Sequence, residues 1–331
     1  MTERLYNVVT IGNAIMDMLV TTTDEFLRKY NMPKGRMTLI DEEKANKIYG
    51  HIKDTCIMCP GGSAANTAVG ISALGGRSAF MGKVSTDDIG LAFCKGLTES
   101  DVLFVSNGPR LDKPTARCMV FVTPDAQRTM NTFLGSCSKI SRLDIDEEVI
   151  KKAYIIYIEG YLLDGSKTKD ALLYAIELSK KHKTLVSLSL SDSRCVERHR
   201  DMFFEVINSG VDILFGNEYE YNKLFQTKDL NESVSLSKDL CKTVVITCGE
   251  KGAIAIENNE QHSIQAIPFD HIVDTTGAGD MFAAGFLYAY SKLKSIDECL
   301  QVGTLASAEN ISHYGAKPQN DLTNLLKGYL K

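Results

Sequence analysis

Two glycine-rich segments carry the residues best suited to chemistry. The first, Asp274-Thr275-Thr276-Gly277-Ala278-Gly279-Asp280, leads into the apolar segment Met281–Tyr290, which has the pattern of a helix. Small residues at 277–279 let backbone N–H groups approach a ligand, and a helix that begins there adds the positive end of its dipole. The segment therefore predicts an anion site, in which Asp280 is placed to accept a proton from a bound hydroxyl group.

A simpler explanation of Asp280 stands beside this one. An acidic residue in the first turn of a helix stabilises that helix by about 0.3–1 kcal/mol and needs no further role.

The glycine spacing of the chain does not match the other common phosphate-binding motifs. Phe282 stands where the dinucleotide fingerprint has its third glycine, and Gly76…Gly82-Lys83 has one residue too many for a P-loop and is followed by Val84.

The second segment is Gly61-Gly62-Ser63-Ala64-Ala65-Asn66, a glycine pair that runs into a predicted helix. A tight backbone next to an amide side chain suits recognition of hydroxyl groups on a small polar ligand. A helix that begins after a glycine turn, with Ser63 as its N-cap, explains the same residues equally well.

Two later segments are weaker signals. Asn217-Glu218-Tyr219-Glu220 follows a predicted strand, and its spacing is that of a capping box, which is the favoured local explanation. Thr247-Cys248-Gly249-Glu250-Lys251-Gly252 joins a buried strand to another strand and is compatible with a nucleotide-binding loop. Neither segment specifies a function alone.

The elements that position these residues alternate along the chain. Short β-rich runs followed by helical patterns predict a parallel sheet with helices on both faces. The predicted core strands are Val8–Gly12, Ala79–Val84, Tyr154–Glu159, Thr184–Leu190, Asp212–Phe215 and Val244–Thr247. The predicted helices are Ala64–Leu74, Ile89–Ser100, Lys167–Lys181, Arg194–Asn208, Gly277–Tyr290 and Ser295–Ser312.

Several strand-like segments do not fit this alternation, because no intervening helix of adequate length is predicted between them. They are Ala14–Thr21, Arg36–Ile40, Thr55–Cys59, Thr115–Thr123 and Gln127–Leu134. The last two flank the turn Pro124-Asp125-Ala126, so Thr115–Leu134 is predicted to be a β-hairpin. Together they predict a second, smaller sheet, a candidate lid.

Length, charge and cysteine content limit the domain organisation, the classes of partner and the cellular location that we expect. The 331 residues suffice for one large α/β unit or two ordinary domains. Net charge is −5, from 37 basic and 42 acidic residues without a basic run, so nucleic acid is not an expected partner. No apolar stretch approaches about 18 residues, so no membrane contact is expected. Nine scattered cysteines suggest reduced thiols and a cytoplasmic location.

Taken together and in this order, the segments resemble the ribokinase-type (PfkB) carbohydrate and purine kinase family. The resemblance rests on Gly61-Gly62…Asn66 and on Asp274-Thr275…Asp280, and it extends over nearly the whole chain. It implies a single doubly wound, mostly parallel α/β domain over residues 1–331. The β-sheet lid would be drawn from about 14–21, 36–40, 55–59 and 115–134.

The resemblance also implies an ATP-dependent phosphotransferase. Its partners would be ATP, Mg²⁺ and a small nucleoside or sugar, with a monovalent cation such as K⁺ near Asp274 in part of the family. The protein would be a monomer or a homodimer. Asp280 would be the base, Gly277, Ala278 and Gly279 the anion hole for the phosphoryl group, and Arg128 a lid residue that reaches the phosphates.

The remaining roles follow from the same resemblance. Asn217 and Glu220 would organise Mg²⁺ and phosphate through water, and Thr247, Gly249 and Gly252 would contact ATP. On the acceptor side, the implied binding residues are Asn13, Asp17, Gly61, Gly62 and Asn66. Either Tyr161 or Leu162 would lie beside the nucleobase of the acceptor.

The opening Gly12–Asp17 looks closest to adenosine-kinase-like members, which makes adenosine phosphorylated at its 5′-hydroxyl the leading expectation. Two alternatives stand beside it. One is a sugar kinase of the ribokinase or fructokinase type, and the other is a non-catalytic nucleotide or metabolite sensor with the same fold. An intact Asp280 and glycine loop favour catalysis over sensing.

Overall fold

The computed structural model describes residues 4–108, 113–125, 127–165, 168–268 and 272–327. Within these ranges the strands are β1 Tyr6–Ile11, β2 Ile15–Thr21, β3 Met37–Leu39, β4 Ile57–Gly61, β5 Ser78–Met81, β6 Val102–Val105, β7 Ala116–Val122, β8 Arg128–Phe133, β9 Ala153–Glu159, β10 Leu185–Ser189, β11 Ile213–Asn217, β12 Thr243–Thr247, β13 Ala253–Glu257 and β14 Glu260–Ile264.

The helices of the same ranges are α1 Asp24–Lys29, α2 Glu42–Ile52, α3 Ser63–Ala73, α4 Asp88–Thr98, α5 Glu147–Lys151, α6 Thr168–His182, α7 Ser193–Asn208, α8 Glu218–Phe225, α9 Leu230–Ser237, α10 Ala278–Ser291, α11 Ile296–Ile311 and α12 Leu322–Lys327. The predicted start of α6 at Lys167 lies outside the described residues. Among the described residues, no helix is long and apolar enough to cross a lipid bilayer.

The large sheet has nine strands in the order β14-β13-β12-β11-β10-β9-β1-β5-β6. The seven strands from β12 to β6 are parallel, and β13 and β14 add an antiparallel edge. The strand order reverses at β1, which has β5 and then β6 on one side and β9 and then β10 on the other. Ligands of such sheets bind beyond the carboxyl ends of the strands near this reversal.

Helices cover both faces of the large sheet, as predicted. Alternate residues of β1 point to opposite sides, with Val8 in one apolar cluster and Val9 in another. The first cluster contains the buried faces of α3, α10 and α11, and the second contains those of α6 and α7. This confirms the doubly wound α/β fold.

The strand-like segments that did not fit the alternation form a second sheet, in the order β3-β8-β7-β2-β4, called the small sheet below. The predicted hairpin is confirmed by the antiparallel pairing of β7 with β8, although Ala126 in its turn lies outside the described residues. Met16, Met18 and Phe121 point away from solvent and pack with Leu27 of α1 and Ile48 of α2. A smaller second sheet is therefore confirmed.

One part of the prediction for the small sheet is wrong. The helices α1 and α2 lie between its strands, and α2 is eleven residues long. Between β2 and β7 the chain passes through α1, α2 and part of the large sheet, and such long connections allow β2 to pair parallel with β7, and β3 parallel with β8, which hairpins alone could not achieve. The small sheet is thus mixed and covered by helices on its outer face.

Candidate active site

The carboxyl ends of the parallel strands bring most of the sequence-predicted site residues to one edge of the large sheet. Asn13 follows β1, Asn217 ends β11 and Thr247 ends β12. Helices α3 and α10 also begin at this edge. They pack so closely that a Cβ atom on Gly70 of α3 would lie 2.7 Å from the Ala284 Cβ of α10. Their first turns are therefore neighbours.

The start of α10 depends on Gly277. This residue is the N-cap, with a φ of +79°, a conformation that glycine adopts without strain. A Cβ atom at this position would lie 2.5 Å from the Cβ of Ala316. The close approach fixes the loop that contains Ala316 against the first turn of α10.

Asp280 lies in that first turn and contacts α3 through both carboxylate oxygens. Ser63 donates to Oδ1 at 2.6 Å, and the Asn66 amide donates to Oδ2 at 3.0 Å. Burial raises the pKa of Asp280 to about 6, against the lowering effect of these two hydrogen bonds. The carboxylate is thus held in position and is basic enough to accept a proton near neutral pH.

The backbone around Asp280 offers N–H groups to an anion, but not equally. The N–H of Ala278 donates to the Thr275 carbonyl at 3.2 Å, so it is partly used within the loop. Gly279 is exposed, and no atom lies within 4 Å of the place where its Cβ would be. Since helix N-termini leave their first N–H groups without intrahelical acceptors, Gly279 offers the more open donor.

The glycine pair predicted for the acceptor side packs against two other predicted residues, Asp17 of β2 and Asn13. Gly61 pairs with this strand so closely that a Cβ atom on it would lie 2.1 Å from Asp17 Oδ2. Gly62 is the N-cap of α3, and it passes the Asn13 carbonyl at a distance that excludes a side chain. Burial raises the pKa of Asp17 to about 7, helped by Asp280, although nearby cationic groups lower it.

Glu159, at the end of β9, lies beside the site, although the sequence analysis assigned it no role. Its buried carboxylate accepts the N–H of Asn13 at 2.7 Å and the N–H of Ala64 at 2.8 Å. Burial raises the pKa of Glu159 to about 7, although these two bonds lower it. The side chain links the end of β1 to the first turn of α3, which carries the groups that hold Asp280.

Two neighbouring cavities share Gly279 in their lining. A cavity of about 160 Å³ is lined by three loop residues predicted from sequence, Thr247, Gly249 and Gly252, together with Ala278 and Gly279. A cavity of about 80 Å³ lies deeper, and its lining includes Asn217, Glu220, Thr247, Gly279 and Asp280. The structure thus brings the predicted cofactor residues and the predicted base to adjoining spaces.

Asn217 and Glu220 form the capping box that the sequence predicted. The Asn217 side chain accepts the Glu220 N–H at 3.0 Å, and Glu220 accepts the Asn217 backbone N–H at 2.9 Å and its amide at 2.7 Å. Burial raises the pKa of Glu220 to about 7, and Asp192 and Asp280 raise it further. A buried carboxylate next to other acidic groups fits a nearby divalent cation.

Arg128 connects the small sheet to the loop before α10. Its guanidinium donates to Asp274 Oδ2 and to Thr276 Oγ1, each at 2.5 Å. Asp274 also accepts the N–H of Gly315 at 2.9 Å and of Thr276 at 3.0 Å. Burial opposes ionisation of Asp274, but these donors outweigh it and lower its pKa.

Tyr161 and Leu162, the two residues predicted to flank a bound nucleobase, lie in different surroundings. Leu162 is 1% exposed and belongs to the second apolar cluster, so the structure does not place it in the site. It lies in a 3-10 turn, Gly160–Asp164, that rotates consecutive side chains to different sides. Tyr161 is half-buried, and burial together with Asp192, Glu220 and Asp280 raises its pKa well above the ordinary value. Only Tyr161 therefore neighbours the acidic site groups.

A second missed residue is Lys317, in the segment that follows α11. Burial lowers the pKa of its ammonium, whereas Cys59, Asp17 and Glu99 raise it. No sequence motif marks this lysine, which comes 37 residues after Asp280. Only the folded chain brings it to the acceptor side.

Comparisons with known proteins agree with this geometry. The family model described as "pfkB family carbohydrate kinase" matches residues 37–322. The solved structure of a probable sugar kinase from Rhizobium etli CFN 42 is 38% identical, with a TM-score of 0.91 and coverage of 99% of both chains. The adenosine kinase from Sinorhizobium meliloti is also 38% identical, with a TM-score of 0.90 over 98% of this chain and 99% of that chain.

A curated relative gives the same result at lower identity. Adenosine kinase 2 of Arabidopsis thaliana is 27% identical over 327 residues, which cover 92% of this chain and 93% of the relative. The likeness therefore spans both sheets and every segment of the site. The chain belongs to the pfkB family of carbohydrate kinases and is an ATP-dependent kinase that acts on an alcohol group.

Proposed function

We propose that the protein transfers the γ-phosphoryl group of ATP to the 5′-hydroxyl of a nucleoside, with adenosine as the leading acceptor. The observation that carries this proposal is an apolar surface directly beside Asp17. A free sugar carries hydroxyl groups around most of its ring, whereas a nucleoside adds a large flat base that can cover an apolar surface.

The apolar surface follows from strand alternation in the small sheet. Met16 and Met18 of β2 point into the core, so Asp17 and Leu19 point to the opposite, partly exposed face. In register beside Leu19 stands Val120 of β7.

The next strand extends the same surface. Met130 of β8 is the register partner of Val120 and continues the apolar row across the sheet. Residues two apart on a strand are separated by about 7 Å. A nucleobase could therefore lie on the half-buried side chains of Leu19 and Met130, with the more buried Val120 between them, while its ribose reaches Asp17.

Catalysis is proposed to begin at Asp280. The acceptor oxygen attacks the γ-phosphorus while Asp280 takes the hydroxyl proton, and the bond from the γ-phosphorus to ADP breaks. Ser63 and Asn66 hold the carboxylate in place, and Asn66 contacts Asp280 in this structure. The role of Asn66 is therefore better proposed as positioning the base than as binding the acceptor alone.

Charge on the transferring group is proposed to be stabilised by backbone and side-chain donors. Gly279 lines both cavities and has an open N–H, with Gly277 and Ala278 shaping the same turn. Oriented donors of this kind are worth several kcal/mol in a transition state. Arg128 lies at the same loop and would add a positive charge when ATP is bound.

Magnesium and ATP would bind on the Glu220 side. Glu220 and Asn217 are proposed to hold Mg²⁺ through water, and Mg²⁺ bound to the phosphates would neutralise their charge. Within the described residues, no group of three or more acidic, histidine or cysteine side chains forms a metal site, which fits an ion held partly by the nucleotide. Thr247, Gly249 and Gly252 are proposed to contact ATP.

The residues near Asp274 fit a potassium ion less well. The carboxylate is already paired with Arg128 and accepts two backbone N–H groups. We therefore propose that turnover does not depend on K⁺, in contrast to what the resemblance allowed.

The test of the proposed function is turnover of the purified protein with ATP and Mg²⁺ over a panel of acceptors. Adenosine, guanosine, cytidine, ribose and fructose are compared by kcat/KM, and the product of the best acceptor is identified by phosphorus NMR. We expect adenosine to rank first and to give the 5′-monophosphate. Phosphorylation of free sugars alone would contradict the nucleoside proposal.

A sugar kinase is the second candidate. It is favoured by the 38% identity to the probable sugar kinase from Rhizobium etli and by the carboxylate of Asp17, which could bind sugar hydroxyl groups. Leu19→Asp places a charge on the apolar surface next to Asp17. This substitution should abolish use of a nucleoside and leave use of a small sugar nearly unchanged, because only the base would contact that surface.

A further inference from the structure

Helix α3 begins without a side-chain cap of its own. Its N-cap is Gly62, which has no side chain to accept the first backbone N–H groups of the helix. The N–H of Ala64, in the first turn, donates instead to Glu159 Oε2 at 2.8 Å. Glu159 ends strand β9 of the large sheet, 95 residues further along the chain. A strand of the large sheet therefore supplies the acceptor that the N-cap of α3 lacks.

The other carboxylate oxygen of Glu159 is used in the same way. Its Oε1 accepts the N–H of Asn13 at 2.7 Å, just after strand β1 ends at Ile11. The Glu159 side chain is buried, with the residue 1% exposed. Two donors need two acceptors, which a carboxylate has, whereas a Gln side chain offers one acceptor and one donor group. The position therefore favours Glu over Gln, although the two side chains have the same shape.

The two N–H groups belong to two connections between the sheets. Residues 12–14 lead from β1 of the large sheet to β2 of the small sheet, and Gly62 leads from β4 of the small sheet to α3, which packs on the large sheet. The connections also contact each other, because a Cβ atom on Gly62 would lie 2.3 Å from the Asn13 carbonyl oxygen. Glu159 thus holds the two connections together at one point.

Gly12 leaves the room that this carboxylate needs. A Cβ atom on Gly12 would lie 2.4 Å from Glu159 Oε2 and 2.5 Å from the Ala64 Cβ. Both distances are far shorter than an ordinary contact between non-bonded atoms, so a side chain at this position would push Glu159 away from its donors. The backbone after β1 is therefore shaped around Glu159.

The first turn of α3 leads from Glu159 to the proposed base. Ser63, which precedes Ala64, donates to Asp280 Oδ1 at 2.6 Å, and Asn66 donates to Oδ2 at 3.0 Å. A continuous series of contacts therefore runs from Glu159 through the backbone of α3 to both oxygens of Asp280. Because Glu159 is enclosed and both its oxygens accept backbone N–H groups, it acts through this turn rather than on a substrate.

We infer that Glu159 is a positioning residue, which fixes the start of α3 against the end of β1 and so keeps Ser63 and Asn66 on the carboxylate of Asp280. This inference rests on the proposed role of Asp280 as the base. Burial raises the pKa of Glu159 to about 7, so at pH 8 most molecules have the ionised carboxylate, with acceptor sites on both oxygens. The experiment is therefore made at pH 8.

The experiment compares Glu159→Gln and Glu159→Met with the wild-type protein, using the best acceptor of the panel of adenosine, guanosine, cytidine, ribose and fructose. Gln keeps one acceptor atom and Met keeps none. We expect kcat to fall about tenfold for Gln and further for Met, since a hydrogen bond to a charged group contributes about this factor. KM for ATP should stay within about twofold. Backbone hydrogen exchange, measured by mass spectrometry, should become faster in the peptides that contain Asn13 and Ala64.

A second background separates positioning from a general loss of folded protein. In Asp280→Asn no base is left to position, so the further change Glu159→Gln should lower the residual kcat less than about threefold. A loss of folded protein would instead lower kcat by the same factor in both backgrounds, because independent effects add in free energy. Equal factors would overturn the inference.

The matched control is Asp212→Asn. Asp212 also accepts a backbone N–H, that of Val186 at 2.8 Å, but it precedes β11 and so lies at the edge of the large sheet away from the site. Its kcat should stay within about twofold of wild type, about the scatter expected for a site without coupling to the base.

Two further results would overturn the inference. One is a wild-type kcat in both Glu159 variants, and the other is unchanged hydrogen exchange of the peptides that contain Asn13 and Ala64. A free sugar as the best acceptor would contradict the nucleoside proposal and leave this test unaffected. Absence of turnover with every acceptor in the wild-type protein would refute the proposed function, and the inference with it.

Discussion

Arg128 of the small sheet and Asp274 of the loop before α10 form an ion pair, with Nη2 and Oδ2 2.5 Å apart. The same guanidinium bonds Thr276. The pair joins strand β8 of the small sheet to the loop before α10, where we propose that the anion hole lies. Movement of the small sheet therefore has to break or rearrange this contact.

Arg128→Ala is expected to lower kcat about tenfold to a hundredfold, because hydrogen bonds to charged groups contribute about 1.5–3 kcal/mol. Arg128→Lys should recover little of this loss, since an ammonium cannot bridge Thr276 and Asp274 as a planar guanidinium does. Steady-state kinetics with saturating ATP measures both variants. Arg142→Ala, which removes an exposed arginine paired with Asp170, is the control. Equal activity in the Arg128 and Arg142 variants would argue against a role of the contact.

Gly61→Ala is expected to raise KM for the acceptor at least tenfold and to leave KM for ATP nearly unchanged. The new Cβ atom would lie 2.1 Å from Asp17 Oδ2, so the carboxylate has to move. Gly50→Ala in α2 is the matched control, because nothing lies within 4 Å of its Cβ position and alanine favours a helix there. An unchanged acceptor KM in the Gly61 variant would contradict the placement of Asp17.

Ser63→Ala tests the basicity of Asp280. Ser63 stabilises the charged carboxylate, so its removal should raise the pKa of Asp280 above the present value of about 6. A base works only when deprotonated, so the acid limb of kcat should move up by about one pH unit. The measurement is kcat at saturating acceptor from pH 5 to 9, with exposed Ser235→Ala as control. A limb that stays in place would mean that Asp280 is not the titrating base.

Replacement of K⁺ by choline at constant ionic strength is expected to change kcat less than about twofold. Arg128 already supplies the positive charge next to Asp274. The backbone N–H groups of Thr276 and Gly315 also donate hydrogen bonds to the Asp274 carboxylate. A tenfold loss in choline, reversed by added KCl, would show that a monovalent cation binds in spite of this pairing.

The sequence predicted the fold through features that are local. The alternation of β-rich and helical segments specified the large sheet, and the turn at Pro124-Asp125 specified the hairpin of the small sheet. Helix α2 was missed although its signal is present: Asp41 caps it, and Ala45, Ile48 and Ile52 form its buried stripe. The neighbouring three-residue strand β3 obscured that pattern.

Other parts of the site depend on tertiary contacts that no spacing reveals. Glu159 looks like any strand end, and its role comes from two backbone N–H groups, those of Asn13 and Ala64. Lys317 lies in the loop after α11, which Glu309 holds by accepting the N–H groups of Gln319 and Asn320. The sequence left Tyr161 and Leu162 as alternatives because a 3-10 turn follows neither the strand period nor the α-helix period.

The role of Asp280 as the catalytic base is tested by Asp280→Asn, compared with Asp297→Asn. Both residues lie in the first turn of a helix, but Asp297 is exposed and outside the site, so it controls for the loss of a helix-stabilising charge. Turnover and the dissociation constant for adenosine, the latter by calorimetry, are measured for both.

We expect Asp280→Asn to lower kcat by about 10²–10⁴, the usual contribution of a positioned base, and to bind adenosine within about threefold of wild type. Asp297→Asn should match the wild-type protein in both measurements. Undiminished turnover in Asp280→Asn would contradict the assignment of this carboxylate as the base.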